Sequence, residues 1–102
     1  MVSQAKVRHV VLLTWKPTAT AAQKRAAEEA FHDLPRHVTQ ISALSCGSAL
    51  EFAEGGADFA AVLDFASADD WRAYQEHPAH RALVAERLAP ILAGRSVIQF
   101  DA

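Results

Sequence analysis

Tyr74-Gln75-Glu76-His77-Pro78-Ala79-His80 places a phenol and two imidazoles within seven residues around a proline. Pro78 holds its φ near −65° and has no N–H, so it opens a helix readily and disfavours continuation of the one before it. The heptapeptide therefore reads as a joint between two helices. Downstream, His80, Leu83, Val84, Arg87, Leu88 and Ile91 recur at three- and four-residue spacing, which predicts a core-facing stripe and turns His80 inward. Upstream, Trp71 and Tyr74 share a helical face, so the phenol can be aimed at the same interior.

Outward from the joint, Ser67-Ala-Asp-Asp70 supplies an N-cap and first-turn carboxylates for a helix ending near Glu76. Before it, Asp58 to Ala66 alternates Phe59, Ala61, Leu63 and Phe65 with Ala60, Val62 and Asp64, the pattern of a strand. After it, the second helix should run until Pro90 disturbs it, with Gly94 as its stop and Ser96-Val-Ile-Gln-Phe-Asp101 as the last strand. Gly55-Gly56 marks a turn, and residues 40–50 form a weaker strand in which Gly47 suggests a bulge or a close backbone approach. Thr20-Ala-Ala-Gln23 is a capping box opening a helix whose apolar stripe is Ala22, Ala26, Ala27, Ala30, Phe31 and Leu34, and which Pro35 should end. Val7 to Trp15 is a first strand, with His9, Val11, Leu13 and Trp15 on one face and Val10, Leu12 and Thr14 on the other.

The order strand, helix, strand, strand, helix pair, strand is the split βαβ pattern of α+β ferredoxin-like domains, a four-stranded antiparallel sheet with helices on one face. If His9, Ala61 and Leu63 look toward the helices, then Val10, Leu12, Val62, Ile98 and Phe100 look away. At roughly 25 cal/mol per Å² such an apolar face is costly to leave in water, so a second copy of the sheet is its natural cover.

With 102 residues the chain, residues 1–102, is expected to be one domain with room for one pocket. Ten Lys and Arg against 12 Asp and Glu, with no basic run longer than Lys24-Arg25, recommend neither nucleic acid nor an anionic membrane as partner. The apolar run Val10 to Leu13 is too short to span a bilayer, and no signal-peptide cleavage pattern follows it, so a cytoplasmic protein is expected. Cys46 is the single cysteine, set among small residues, and reads as a buried structural thiol. His32 and His37 read as surface or loop histidines.

Arg8-His9-Val-Val-Leu-Leu-Thr-Trp-Lys16, Gly47, Phe65, Tyr74-x-x-His77-Pro-x-His80 and Phe100-Asp101, in these places, make a chain that resembles the Dabb family of stress-responsive dimeric α/β-barrel domains. The resemblance implies a homodimer whose sheets pack face to face into a barrel. Some plant and microbial members close linear poly-β-keto chains by aldol or Claisen-type chemistry without a cofactor. In those cyclases the positions matching Tyr74 and His80 carry the chemistry, the one matching Asp101 supports the histidine, and the one matching His9 lines the pocket. Ala27, Glu28, Ala61, Gln75 and Arg81 depart from the plant enzymes' lining, which points away from the plant substrate. Most members have no established reaction.

The residue chemistry agrees with such a role. Removing a proton α to a carbonyl needs a base with a pKa near working pH, and the enolate that forms needs a nearby donor. Imidazole and phenol suit those tasks, so His80, Tyr74 and Asp101 are the candidate catalytic set. Asp101 is expected to hold one ring nitrogen of His80, and the positive end of the helix to oppose protonation of the ring. The pocket for a small molecule is expected between sheet and helices, lined by His9, Val11, Leu13, Phe31, Ala61, Leu63, Leu83 and Val84. The bland alternative is that Tyr74 and His80 only fix the helix joint.

His77, off the helical stripe, reads as an N-cap, and Trp71 and Phe65 as core. His9, His77 and His80 lack the i,i+4 spacing of a helical metal pair and have no cysteine partner, so no metal and no cofactor are expected. Three functions compete: a cofactor-free cyclase, a non-catalytic small-ligand-binding or stress-associated dimer, and, by fold analogy alone, an oxygenase.

Overall fold

Alternation along the first strand, β1 (Val7–Trp15), sets the two faces of the sheet: His9, Val11, Leu13 and Trp15 are buried, whereas Leu12 and Thr14 are exposed. In this computed structural model, which describes residues 6–102, β1 is followed by α1 (Ala21–His37), β2 (Ile41–Ser48), β3 (Phe59–Phe65), α2 (Ala68–Glu76), α3 (Pro78–Ala82), a π-helical segment (Leu83–Leu88) and β4 (Leu92–Asp101). The four strands form one antiparallel sheet in the order β2-β3-β1-β4. This is the ferredoxin-like α+β fold.

Register carries the alternation of β1 to its neighbours. His9 lies opposite Leu63 and Gln99, Val11 opposite Ala61 and Val97, and Leu13 opposite Phe59 and Arg95. These rows face the helices. Leu13, Phe59, Ala61, Leu63 and Phe65 meet Ala27, Phe31 and Leu34 of α1, Tyr74 of α2, and Leu83, Leu88 and Ile91 in the core. The other rows, including Val10–Val62–Ile98 and Leu12–Ala60–Ser96, face away from the helices. The molecule measures 51 × 30 × 17 Å, two layers thick, and no segment among the described residues covers that outer face. Leu12 keeps 41%, Ile98 58% and Phe100 46% of its exposure there. At the end of the same face Arg8 makes a two-pronged ion pair with Asp64, at 2.8 and 3.0 Å.

Local chemistry explains the helix ends. Thr20 Oγ1 accepts from the Gln23 N–H and Gln23 Oε1 from the Thr20 N–H, the reciprocal capping box. Pro35 does not end α1, contrary to expectation; the helix continues to His37 and the Val38 N–H bonds the Leu34 carbonyl. A proline so near the end sacrifices one carbonyl partner, while Asp33 pairs with Arg36 and His37, basic side chains suited to a helix C-terminus.

Three further expectations are corrected. The helix after Pro78 changes to a π turn, the Ala89 N–H bonding the Val84 carbonyl five residues back. With the extra residue per turn Leu83 and Leu88 are both buried, as expected, but Arg87 is exposed, off the expected stripe. Gly94 is not a helix stop but lies inside β4 opposite Thr14, next to a register shift, so the last strand begins at Leu92. The irregularity of β2 falls between Ile41 and Ala43, not at Gly47, where a Cβ would meet nothing within 4 Å.

Candidate functional site

The joint between α2 and α3 is made by His77, whose extended backbone (φ −65°, ψ 136°) breaks the helical path. Its N–H bonds the Tyr74 carbonyl, closing α2, and its Nδ1 accepts from the Ala79 N–H at 3.0 Å, opening α3. His77 is thus an N-cap, and Pro78 fills the first helical position. The chain reverses its local direction there and brings His80 back against the last turn of α2.

His80 Nδ1 lies 3.3 Å from the Gln75 carbonyl oxygen. A carbonyl only accepts, so Nδ1 carries the proton and the Nε2 lone pair is left without a partner among the described residues. The expected Asp101 contact is not formed. Asp101 lies opposite Val7 at the exposed end of β4, and the carbonyl at the C-terminus of α2, otherwise lacking a helical partner, takes the ring instead. Burial lowers the His80 pKa, the Gln75 hydrogen bond opposes this, and the charges of Arg95 and Arg81 lower it further. Helix α3 has only five residues, so burial rather than the helix end dominates.

Tyr74 is buried against the sheet, with its ring 4.4 Å from His80, 5.1 Å from Phe65 and 6.0 Å from His9 between centroids. Burial raises its pKa, so the phenol stays protonated, a donor. His9 is 4% exposed and accepts at Nδ1 from the Gln99 side-chain amide, 2.8 Å away. Burial, reinforced by His80 and Arg95, pushes its pKa down to about 4. The neutral ring therefore carries its proton on Nε2.

These side chains line a cavity of about 290 Å³ with Val11, Phe31, Trp71, Gln75, Leu83, Val84, Leu88, Arg95, Val97 and Gln99. Of the residues expected around a pocket, His9, Val11, Phe31, Tyr74, His80, Leu83 and Val84 meet there. Leu13, Ala61 and Leu63 do not: they are fully buried behind the wall, in the second layer of core packing. Trp71, expected in the core, forms part of the wall, and its indole N–H is shielded from solvent with no hydrogen-bond partner among the described residues. Arg95, Val97 and Gln99 were not anticipated. Their signal was the hydrophobic pattern of β4, in which Ile98 and Phe100 mark the outer face and so assign the more polar odd-numbered row to the cavity.

Other reactive groups stand apart. Cys46 Sγ is 3.5 Å from His32 Nε2, and burial with Glu28 nearby pushes the thiol up to about 11, keeping it un-ionised. Among the described residues no three His, Cys, Asp or Glu side chains are grouped to hold a metal ion. No helix among them is long and apolar enough to cross a membrane.

Known proteins agree with this architecture. The family model described as Stress responsive A/B Barrel Domain, Dabb, matches residues 7–102. A dimeric ferredoxin-like protein of unknown function from Thermobifida fusca is 36% identical, with a TM-score of 0.90 over 100% of this chain and 95% of its own. A Dabb family protein of ferredoxin-like fold from Mesorhizobium loti is 18% identical, with a TM-score of 0.81 over 97% and 98% of the two chains. Hydroxynitrile lyase from Passiflora edulis is also 18% identical, with a TM-score of 0.85 over 96% and 94%. These last two show the fold alone. No curated protein matches the sequence.

Proposed function

The chain belongs to the Dabb family, and on that premise we propose that it is a homodimer, closed through the outer sheet face, whose cavity binds a small carbonyl compound and promotes cofactor-free carbon-acid chemistry. The dimer is supported by the bare outer face with Leu12, Ile98 and Phe100 and by the dimeric Thermobifida fusca relative. The observation that carries the chemistry is His80, a neutral imidazole whose Nδ1–H is held by Gln75 and whose Nε2 lone pair is unengaged, in ring contact with Tyr74 in the cavity wall.

In the reaction that suits these groups best, His80 Nε2 takes the proton from a carbon flanked by two carbonyls of a poly-β-keto chain. The C–H electron pair becomes an enolate, stabilised by the Tyr74 O–H and the His9 Nε2–H. The enolate carbon attacks a second carbonyl of the same chain, forming the ring C–C bond. In an aldol closure the new alkoxide takes the proton back from the His80 imidazolium; in a Claisen closure the leaving group departs with it. Asp101 is not used.

Turnover of a synthetic triketide thioester, followed by mass spectrometry, tests this. His80→Ala should remove ring closure while circular dichroism and dimer mass stay unchanged, and Tyr74→Phe should cost less than His80→Ala. The competing reading is a non-catalytic ligand-binding dimer, favoured by the same Gln75–His80 bond, which also ties α2 to α3. If His80→Ala unfolds the protein and the wild type converts nothing, His80 is a structural plug and the binding reading holds.

A further inference from the structure

We infer that the ligand of this cavity is a small carboxylate, its apolar body against Phe31 and Leu83 and its charged end on Arg95. The inference deepens the proposed function and rests on its reading of the cavity as a ligand site.

Arg95 sits on β4 opposite the buried Leu13, which puts it on the helix-facing side of the sheet. Among the described residues of the lining it is the one Arg or Lys, and no Asp or Glu joins it there. It forms no ion pair with the described residues. Its charge reaches the centre of the site, acting on His9, Tyr74 and His80 alike. The lining thus carries a guanidinium with no carboxylate among its described residues to offset it.

Hydrogen-bonding capacity is skewed the same way. The His9 Nε2–H, the Tyr74 O–H and the Arg95 guanidinium are donors. Against them stand the His80 Nε2 lone pair and the side-chain oxygens of Gln75 and Gln99. A ligand that matches this surplus carries several acceptor oxygens and a negative charge. A guanidinium meets a carboxylate with two parallel N–H···O bonds, which fixes orientation as well as charge. A cationic ligand would be repelled, and a neutral one would leave the guanidinium unused.

Calorimetry at fixed ionic strength with two isosteric pairs, benzoate against benzamide and hexanoate against hexanamide, tests the inference on the full chain. Each acid should bind at least tenfold more tightly than its amide. Arg95→Gln should bring acid and amide together, and Arg95→Lys should restore part of the preference. Since Arg95 is exposed, its replacement leaves the core intact, which circular dichroism checks. Equal affinity for acid and amide, no binding by either pair, or a preference that survives Arg95→Gln overturns the inference. The two readings fail separately. An Arg95-dependent preference for acids without His80-dependent turnover removes the chemistry and leaves this site, whereas His80-dependent ring closure with equal affinity for acid and amide removes this site and leaves the chemistry.

Discussion

Leu12→Glu should convert the dimer to a folded monomer, and the structure sets the size of the effect. Leu12 is 41% exposed in the isolated chain, so covering it in a dimer is worth about 1 kcal/mol per protomer, on a scale of about 1.5–3 kcal/mol for a fully buried leucine. Twofold symmetry doubles this to about 2 kcal/mol. The larger loss is the carboxylate. Buried unpaired against a partner sheet, it escapes by taking up a proton, which at pH 7 costs about 3.7 kcal/mol for a glutamic acid of ordinary pKa. Two protomers bring the total to about 9 kcal/mol, and even half of that raises the dimer Kd by about a thousandfold. The monomer tolerates the change, because a side chain this exposed keeps its charge in water. Light scattering at micromolar concentration should give twice 11.1 kDa for the wild type and 11.1 kDa for the variant at pH 7, with unchanged circular dichroism and partial recovery of the dimer near pH 4. A wild type that is monomeric, or a Leu12→Glu protein that stays dimeric with wild-type Kd, would refute the outer face as the interface.

Two further outcomes follow from the site. The His9 pKa of about 4 lies below the unfolded value near 6.5, so the unfolded chain binds the extra proton first; stability is full above pH 6.5 and is lost as pH falls toward 4. The loss should be on the order of 3 kcal/mol at most by urea denaturation, and a His9→Gln protein with the same acid dependence between pH 7 and 4.5 would contradict the assignment. His77→Ala leaves the Ala79 N–H without its acceptor and should cost about 1 kcal/mol in the same assay, with His77→Asn recovering most of it; equal losses in both would exclude the capping role.

Periodicity and punctuation are local properties, and they were legible in the chain. The alternation of Val7–Trp15 and Phe59–Phe65 set which side chains face the helices, Thr20 with Gln23 set where α1 begins, and His77-Pro78 set the break between α2 and α3. From these came the ferredoxin-like order, the bare outer face, and His9, Tyr74 and His80 on one side of the sheet. What depended on packing was not legible. Pro35 stays within α1, and the π turn that keeps Leu88 on the buried stripe but drops Arg87 from it answers to the shape of the core beneath it. The partner of His80 was misjudged because a carbonyl at the end of α2 is present in every sequence and marked in none, whereas Asp101 announces itself by its side chain. The alternation of β4 marks the face that Arg95 and Gln99 share, but what they meet there is set by the register of β4 on β1, a pairing between residues more than 80 positions apart. Sequence determined the layers and their faces, through repeats of two and of three to four residues; tertiary structure alone decided which polar groups meet, because hydrogen bonds and charges act across ångströms of space rather than along the chain.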